Sequence, residues 1–221
     1  MLAKELISEE IPILRTSDTG EQALSWMEIF KISHLPIVNN NDFLGLISES
    51  DIYDLNMAGE AIGAHNLSLQ KSFVFMRSHI LEVIELVARQ QLTVVPVLDE
   101  KNHFKGVISM HSLLHSFANM ISMNQAGGIL VLEMNANDYS MSEIAQIVES
   151  NDAKILCSYT SPLDSPNRIE VNLKINQTDL TSIIQTFNRY NYEIKASYME
   201  NNDLESMYQN RYELFLRYLN T

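Results

Sequence analysis

The sequence predicts a mixed α/β (α+β) fold: two copies of a β-α-β-β-α unit, then a β-α-β-β-α-β unit and a final helix. Three observations carry this. Leu35-Pro36-Ile37-Val38 and Gly45-Leu46-Ile47-Ser48 are answered by Val95-Pro96-Val97-Leu98 and Gly106-Val107-Ile108-Ser109. Ile169, Val171, Leu173 and Ile175 alternate strictly with Glu170, Asn172 and Lys174, the period of a half-exposed strand. Gly127-Gly128 punctuates the chain between these two regions. The expected divisions are 1–124 for the duplicated pair (repeats at about 1–60 and 61–124), 127–200 for the second unit and 201–221 for the helix.

Each repeat opens with a short apolar run, Ile11–Leu14 or Phe73–Met76. A helix follows. In the first repeat Asp18 is the expected cap, with Glu21 at capping-box spacing and Ala23, Met27 and Phe30 on one face. In the second, Ser78 is the expected cap, and Ile80, Ile84 and Val87 repeat the spacing. Next come strands His34–Val38 and Val94–Leu98, whose prolines belong at an edge or a strand start because they lack a ladder donor. Asn39–Asp42 and Asp99–Asn102 are turn chemistry. The strands Phe43–Ile47 and Phe104–Ile108 then run into helices opened by Ser48 and Ser109. Neither repeat is large enough to bury its apolar face alone, so the two are expected to pack together.

The 221 residues are 46% hydrophobic, ordinary for a globular protein. A formal charge of −13 disfavours nucleic acid and anionic lipid, both of which select clustered cations. Cys157 is the single cysteine, so no intrachain disulfide forms, and a reducing, cytoplasmic setting is expected. No apolar run is long enough to span a bilayer. There is no nucleophile elbow, P-loop or dinucleotide fingerprint, so no enzyme activity, no catalytic residue and no required cofactor is expected. His111 and His115 have metal-sharing spacing, but no third ligand accompanies them; no metal site is assigned.

The paired hydrophobic-Pro-hydrophobic strands, with Gly-hydrophobic-hydrophobic-Ser leading into a helix, resemble a tandem pair of cystathionine-beta-synthase (CBS) domains, a Bateman module. The resemblance covers residues 1 to about 118. It implies two repeats around a pseudo-twofold axis, two clefts for adenosine-containing ligands, and disc-like dimers. Gly45-Leu46-Ile47-Ser48-Glu49-Ser50-Asp51 matches the family pattern in which the hydroxyl takes phosphate and the acid takes ribose. The residues alone support part of this. Ser48 stands where free N–H groups receive an anion, and Asp51 lies one turn on, able to accept from two vicinal hydroxyls. The same residues also suit plain capping, with Ser48 as an N-cap worth ~1 kcal/mol and Asp51 complementing the macrodipole.

The resemblance adds Thr16 and the backbone of Leu35, Pro36 and Ile37 to this site. A weaker second site comprises Ser109, Ser112, Val95, Pro96 and Val97, with Ser112 replacing the acid. Arg15, Lys31 and Arg77 are the nearby cations, which favours an AMP-like nucleotide or S-adenosylmethionine over ATP. The expected function is ligand sensing transmitted through homodimer packing to an unidentified downstream protein. The alternative is a ligand-free dimerisation or interaction scaffold.

Beyond Gly128 the elements read strand Ile129–Met134, helix Ser142–Glu149 and strand Ala153–Tyr159. A loop with Pro162 and Pro166 leads to the alternating strand, then a helix to Tyr190 capped by Asp179 or Thr178, then strand Tyr192–Tyr198. That order is the split ferredoxin-like pattern, and after a CBS pair it resembles an ACT domain, a family of amino-acid-binding modules. The family's loop after the first strand carries glycine; Asn135–Ser140 has none, which points to dimerisation or relay. Leu204, Tyr208, Phe215 and Leu219, flanked by Met207 and Tyr212, make an apolar stripe on the last helix.

Overall fold

The computed structural model describes residues 1–8, 10–54, 58–65 and 71–199. The expected C-terminal helix lies outside these residues. The chain divides into two compact units, Met1–Met120 and Ile121–Thr221, each with its own core.

In the first unit, α1 (Gly20–Phe30), β1 (His34–Asn39), β2 (Asp42–Ser48) and α2 (Glu49–Asp54) form one repeat. β3 (Val74–Phe75), α3 (Ile80–Gln90), β4 (Val94–Leu98), β5 (Phe104–Ser109) and α4 (Met110–Met120) form the other. The opening apolar run of the first repeat is reduced to one parallel bridge, Leu14 to Ile37. Its counterpart β3 runs parallel to β4. Pro36 sits inside β1 rather than at its start. It is tolerated because pairing on that edge begins at its carbonyl, which accepts from Leu14 N–H at 2.9 Å.

The caps fall one residue later than expected. Asp18 instead accepts from Arg15 N–H at 2.8 Å, and Thr19 caps α1 in a capping box with Gln22. His79 rather than Ser78 caps α3, boxed with Glu82, while the Ser78 carbonyl serves Ala3 N–H.

Both β-hairpins carry a bulge at the same place, after Ile37 and after Val97, and Gly45 and Gly106 stand opposite those residues at φ 153° and 149°. The glycines are therefore needed by the backbone. At Gly106 a Cβ would also stand 2.4 Å from Ile7 Cγ2.

The opening 3₁₀ turns are exchanged between repeats. Ala3–Glu5 precedes the first repeat but docks on the second, with Ala3 N–H donating to Ser78 O and Lys4 N–H to Met76 O. Ile62–Ala64 precedes the second repeat but docks on the first, with Ile62 N–H donating to Asp18 O and Gly63 N–H to Thr16 O. The hairpin turns also meet, Phe104 N–H donating to Asn41 O at 2.8 Å. The single core of this unit draws on both repeats, from Leu14, Leu35 and Ile47 to Ile80, Val95 and Ile108.

The second unit is a four-stranded antiparallel sheet formed by β6 (Gly128–Asn135), β7 (Ile155–Pro162), β8 (Arg168–Ile175) and β9 (Glu193–Tyr198) in the order β7-β8-β6-β9. With α5 (Met141–Glu149) after β6 and α6 (Thr181–Arg189) after β8, this is the ferredoxin-like, ACT-like arrangement. Leu130, Leu132, Val171, Leu173 and Ile175 form one core with Ile144, Ile147, Ile183 and Phe187 from the helices. β7 runs on through Pro162, which sequence reading places in the loop; as the last residue of an edge strand the proline costs no interior ladder bond. Asp179 bonds Thr181 N–H at 2.9 Å at the start of α6.

Candidate functional site at the strand-to-helix junctions

Ser48 ends β2 and Asp51 lies in the first turn of α2. Asp51 N–H donates to Ser48 Oγ at 3.1 Å; Asp51 Oδ2 accepts from Ser48 N–H at 2.8 Å and from the Ser48 hydroxyl at 2.6 Å. This is a reciprocal cap with Asp in the usual Glu position. Ser50 Oγ lies 2.8 Å from Ser48 Oγ. The second carboxylate oxygen, Oδ1, takes no hydrogen bond among the described residues, and Asp51 is exposed. One oxygen thus holds the helix start, and the other is left without a hydrogen bond among the described residues.

The remaining members of the expected first site are committed to the fold. Thr16 bonds Asn39 through its N–H (3.4 Å) and its hydroxyl (3.3 Å to Oδ1), and its carbonyl accepts from Gly63. Leu35, Pro36 and Ile37 are buried, so they offer backbone rather than side chains.

At the second junction, Ser109 Oγ accepts from Ser112 N–H at 3.0 Å, and the two hydroxyls are 3.0 Å apart. Ser112 Oγ folds back onto the Ser109 carbonyl at 3.1 Å, so the residue replacing the acid presents no outward acceptor of comparable strength. Val95, Pro96 and Val97 are buried. Beside Ser109 lies a cleft of about 480 Å³, lined among others by Ser8, Glu10, Lys31, Thr93 and His111.

Between the junctions stands a contact that the sequence reading does not anticipate. His34 opposes Ser48 across the β1–β2 pair. Its Nδ1 lies 3.1 Å from the hydroxyl of Thr93, and Thr93 Oγ1 also accepts from Ser33 N–H at 2.9 Å. Burial lowers the pKa of His34, and the charge of Asp51 opposes that shift without reversing it. The ring is therefore neutral at pH 7. The available signal is that Ser33 and Thr93 occupy equivalent repeat positions, each accepting on its carbonyl from the first residue of the following helix, Glu49 or Met110.

Of the candidate cations, Arg77 is engaged with Glu100 at 3.0 Å and lies over the Phe75 ring. Lys31 closes α1 at φ 53°. It borders a cleft of about 640 Å³ that also carries Glu21, Glu28 and Glu49, so the helical side of the first repeat is acidic.

Residues 3–57 and 71–119 match the family model of the CBS domain. The N-terminal unit is a tandem pair of CBS domains. Similar curated proteins include an uncharacterised protein of Helicobacter pylori strain J99, 26% identical over 117 residues, which are 50% of this chain and 36% of that one. Another is the inosine-5'-monophosphate dehydrogenase of Methanocaldococcus jannaschii, 25% identical over 115 residues, 51% of this chain and 23% of that one. The chain thus spans about a third or less of the length of these relatives. Among solved structures, a CBS domain pair/ACT domain protein of Thermotoga maritima matches 54% of this chain and 98% of its own, at 23% identity and a TM-score of 0.48.

The ACT-like unit has a smaller cavity of about 330 Å³ at the Asn135–Ser140 loop, lined by Glu133, Asp138, Glu143, Arg168, Tyr190 and Tyr192 among others. Arg168 is held at 2.7 Å from both Glu133 and Glu193. Burial, reinforced by Glu143, pushes the Tyr192 phenol up to about 12. With four acids, Glu133, Asp138, Glu143 and Glu193, and its one guanidinium engaged, this lining offers no spare cation for an amino acid's carboxylate.

No helix among the described residues is long and apolar enough to cross a membrane, and none of their His, Cys, Asp and Glu side chains form a group of three or more able to hold a metal.

Proposed function

We propose that this chain is a non-catalytic, cytoplasmic regulatory protein whose CBS pair senses an adenosine-containing ligand at Ser48 and Asp51. The observation that carries the reading is the divided Asp51 carboxylate: Oδ2 is fixed by its own cap, and Oδ1, on an exposed residue, takes no hydrogen bond among the described residues. A carboxylate fixed on an exposed residue suits the two adjacent hydroxyls of a ribose, and a phosphate beside it would take the Ser48 hydroxyl hydrogen that now goes to Asp51 Oδ2. The engaged Arg77 and the surrounding acids support an AMP-like nucleotide or S-adenosylmethionine over a triphosphate. Exposed Ile29, Tyr53, Leu81 and Leu114 on the helices of both repeats support homodimer packing as the route by which occupancy is passed on.

The alternative, a ligand-free scaffold, is favoured by the self-sufficiency of both caps, each of which satisfies the helix start without a ligand. Thermal melting with AMP, ATP and S-adenosylmethionine separates the two. A ligand at about a hundred times its dissociation constant adds ~2.7 kcal/mol, which raises the melting point of a chain this size by roughly 5–10 °C. Wild type unmoved by all three compounds supports the scaffold and overturns sensing at this site.

A further inference from the structure

We propose that the Thr93 hydroxyl is a two-position switch that links the junctions: it donates to His34 while that ring is neutral, and turns toward the Ser109 cleft when the ring is protonated. The inference rests on the proposed ligand site at Ser48, but its mechanism is readable without a ligand. Thr93 Oγ1 has one hydrogen and already accepts from Ser33 N–H. Its nearest remaining partner is His34 Nδ1, at 3.1 Å. With His34 neutral, the hydroxyl donates to Nδ1, and the ring carries its proton on Nε2. Once Nδ1 gains a proton it becomes a donor to the same oxygen. The Thr93 hydrogen must then leave that direction, and Thr93 lines the cleft of Ser109, Ser8 and His111.

The groups around the ring set the input. β2 opposes it with Ser48, the turn before β4 presents Thr93, and α2 faces it with Asp51, the charged group whose field acts on the ring among the described residues. Burial keeps His34 neutral against the pull of Asp51. An anionic group at Ser48 would add to that pull and raise the fraction of rings that are protonated. Thr93 would then offer a donor to whatever occupies the other cleft. Because such coupling is reciprocal, an acceptor bound beside Ser109 would in turn strengthen anion binding at Ser48. His34 is a positioning residue here, separated from the second cleft by Thr93 but joined to it by one hydrogen bond.

The test is histidine-ring NMR on the full chain. Long-range ¹⁵N correlations should show neutral His34 with its proton on Nε2, titrating below the usual histidine range. Thr93→Val should abolish that tautomer preference, while Thr93→Ser, which keeps the hydroxyl, should restore it. Wild-type His34 in the Nδ1–H form, or Thr93→Val leaving the ring unchanged, overturns the switch whatever binds elsewhere. AMP is the probe for the coupling. Saturation should raise the His34 midpoint by about half a unit, a roughly threefold gain in proton affinity. AMP that moves the Ser48 and Asp51 amides but not the His34 midpoint refutes the coupling and leaves the proposed site standing. AMP that moves neither refutes the proposed site, and the tautomer measurements still decide the switch.

Discussion

Replacing Asp51 separates the two tasks of its carboxylate. Asp51→Ala removes the acceptor of the Ser48 N–H and hydroxyl bonds at 2.8 and 2.6 Å. A lost cap of this kind costs ~1 kcal/mol, and the lost acid in the first turn adds roughly 0.3–1 kcal/mol. The CBS pair should therefore lose about 1–2 kcal/mol in urea unfolding without ligand. Asp51→Asn keeps a neutral acceptor and should lose about half as much. Binding should order the variants differently. A hydrogen bond to a charged group is worth roughly 1.5–3 kcal/mol, so both substitutions should weaken AMP by on the order of tenfold or more. Calorimetric titration of AMP beside the urea series tests both tasks. Asp51→Asn that binds within twofold of wild type removes the ribose from this carboxylate, and Asp51→Ala with unchanged stability removes the cap.

Three further outcomes are expected. Phe187→Ala, which empties a fully buried site and strips Tyr192 of its edge-to-face partner, should destabilise the ACT-like unit by about 3–5 kcal/mol in urea unfolding. Gly106→Ala forces a Cβ onto Ile7 at a φ of 149°; it should cost about 1–3 kcal/mol, and adding Ile7→Ala should recover the clash but not the backbone strain. Asp99 accepts from the His103 and Lys101 N–H groups and lies 3.0 Å from Lys105, so its carboxyl is held well below the usual range. Its contribution is present above about pH 4, where the unfolded carboxylate is also ionised, and fades as pH falls toward the depressed folded value. Wild type should therefore exceed Asp99→Asn in stability at pH 7, with the gap closing between about pH 5 and 2 in parallel urea melts.

What the sequence disclosed follows the range of the interactions involved. The duplicated strands and the alternation of Ile169 to Ile175 are local, and both elements appear where they are expected; of the two roles that Ser48 and Asp51 suit, the structure shows the cap. The caps slipped by one residue because Asp18-Thr19 and Ser78-His79 each offer two acceptors side by side. Which one serves the helix depends on where the neighbouring backbone needs a partner. Thr93 and His34 escaped notice because their contact spans 59 residues. The exchanged 3₁₀ turns escaped for a similar reason, since three-residue segments carry no periodicity to betray where they dock.

That exchange constrains how the molecule is made. During synthesis the first repeat emerges before Ile62–Ala64, the turn that completes it, and Ala3–Glu5 must wait for Met76 and Ser78 before it has a partner. Closing such distant contacts costs chain entropy before it returns any stabilisation, so the halves should gain their final order together rather than in succession. Cutting the gene between the copies would leave each fragment with an opening turn that docks only on the other and without the turn that completes it. The duplication has become a single folding unit that no longer divides where its sequence repeats.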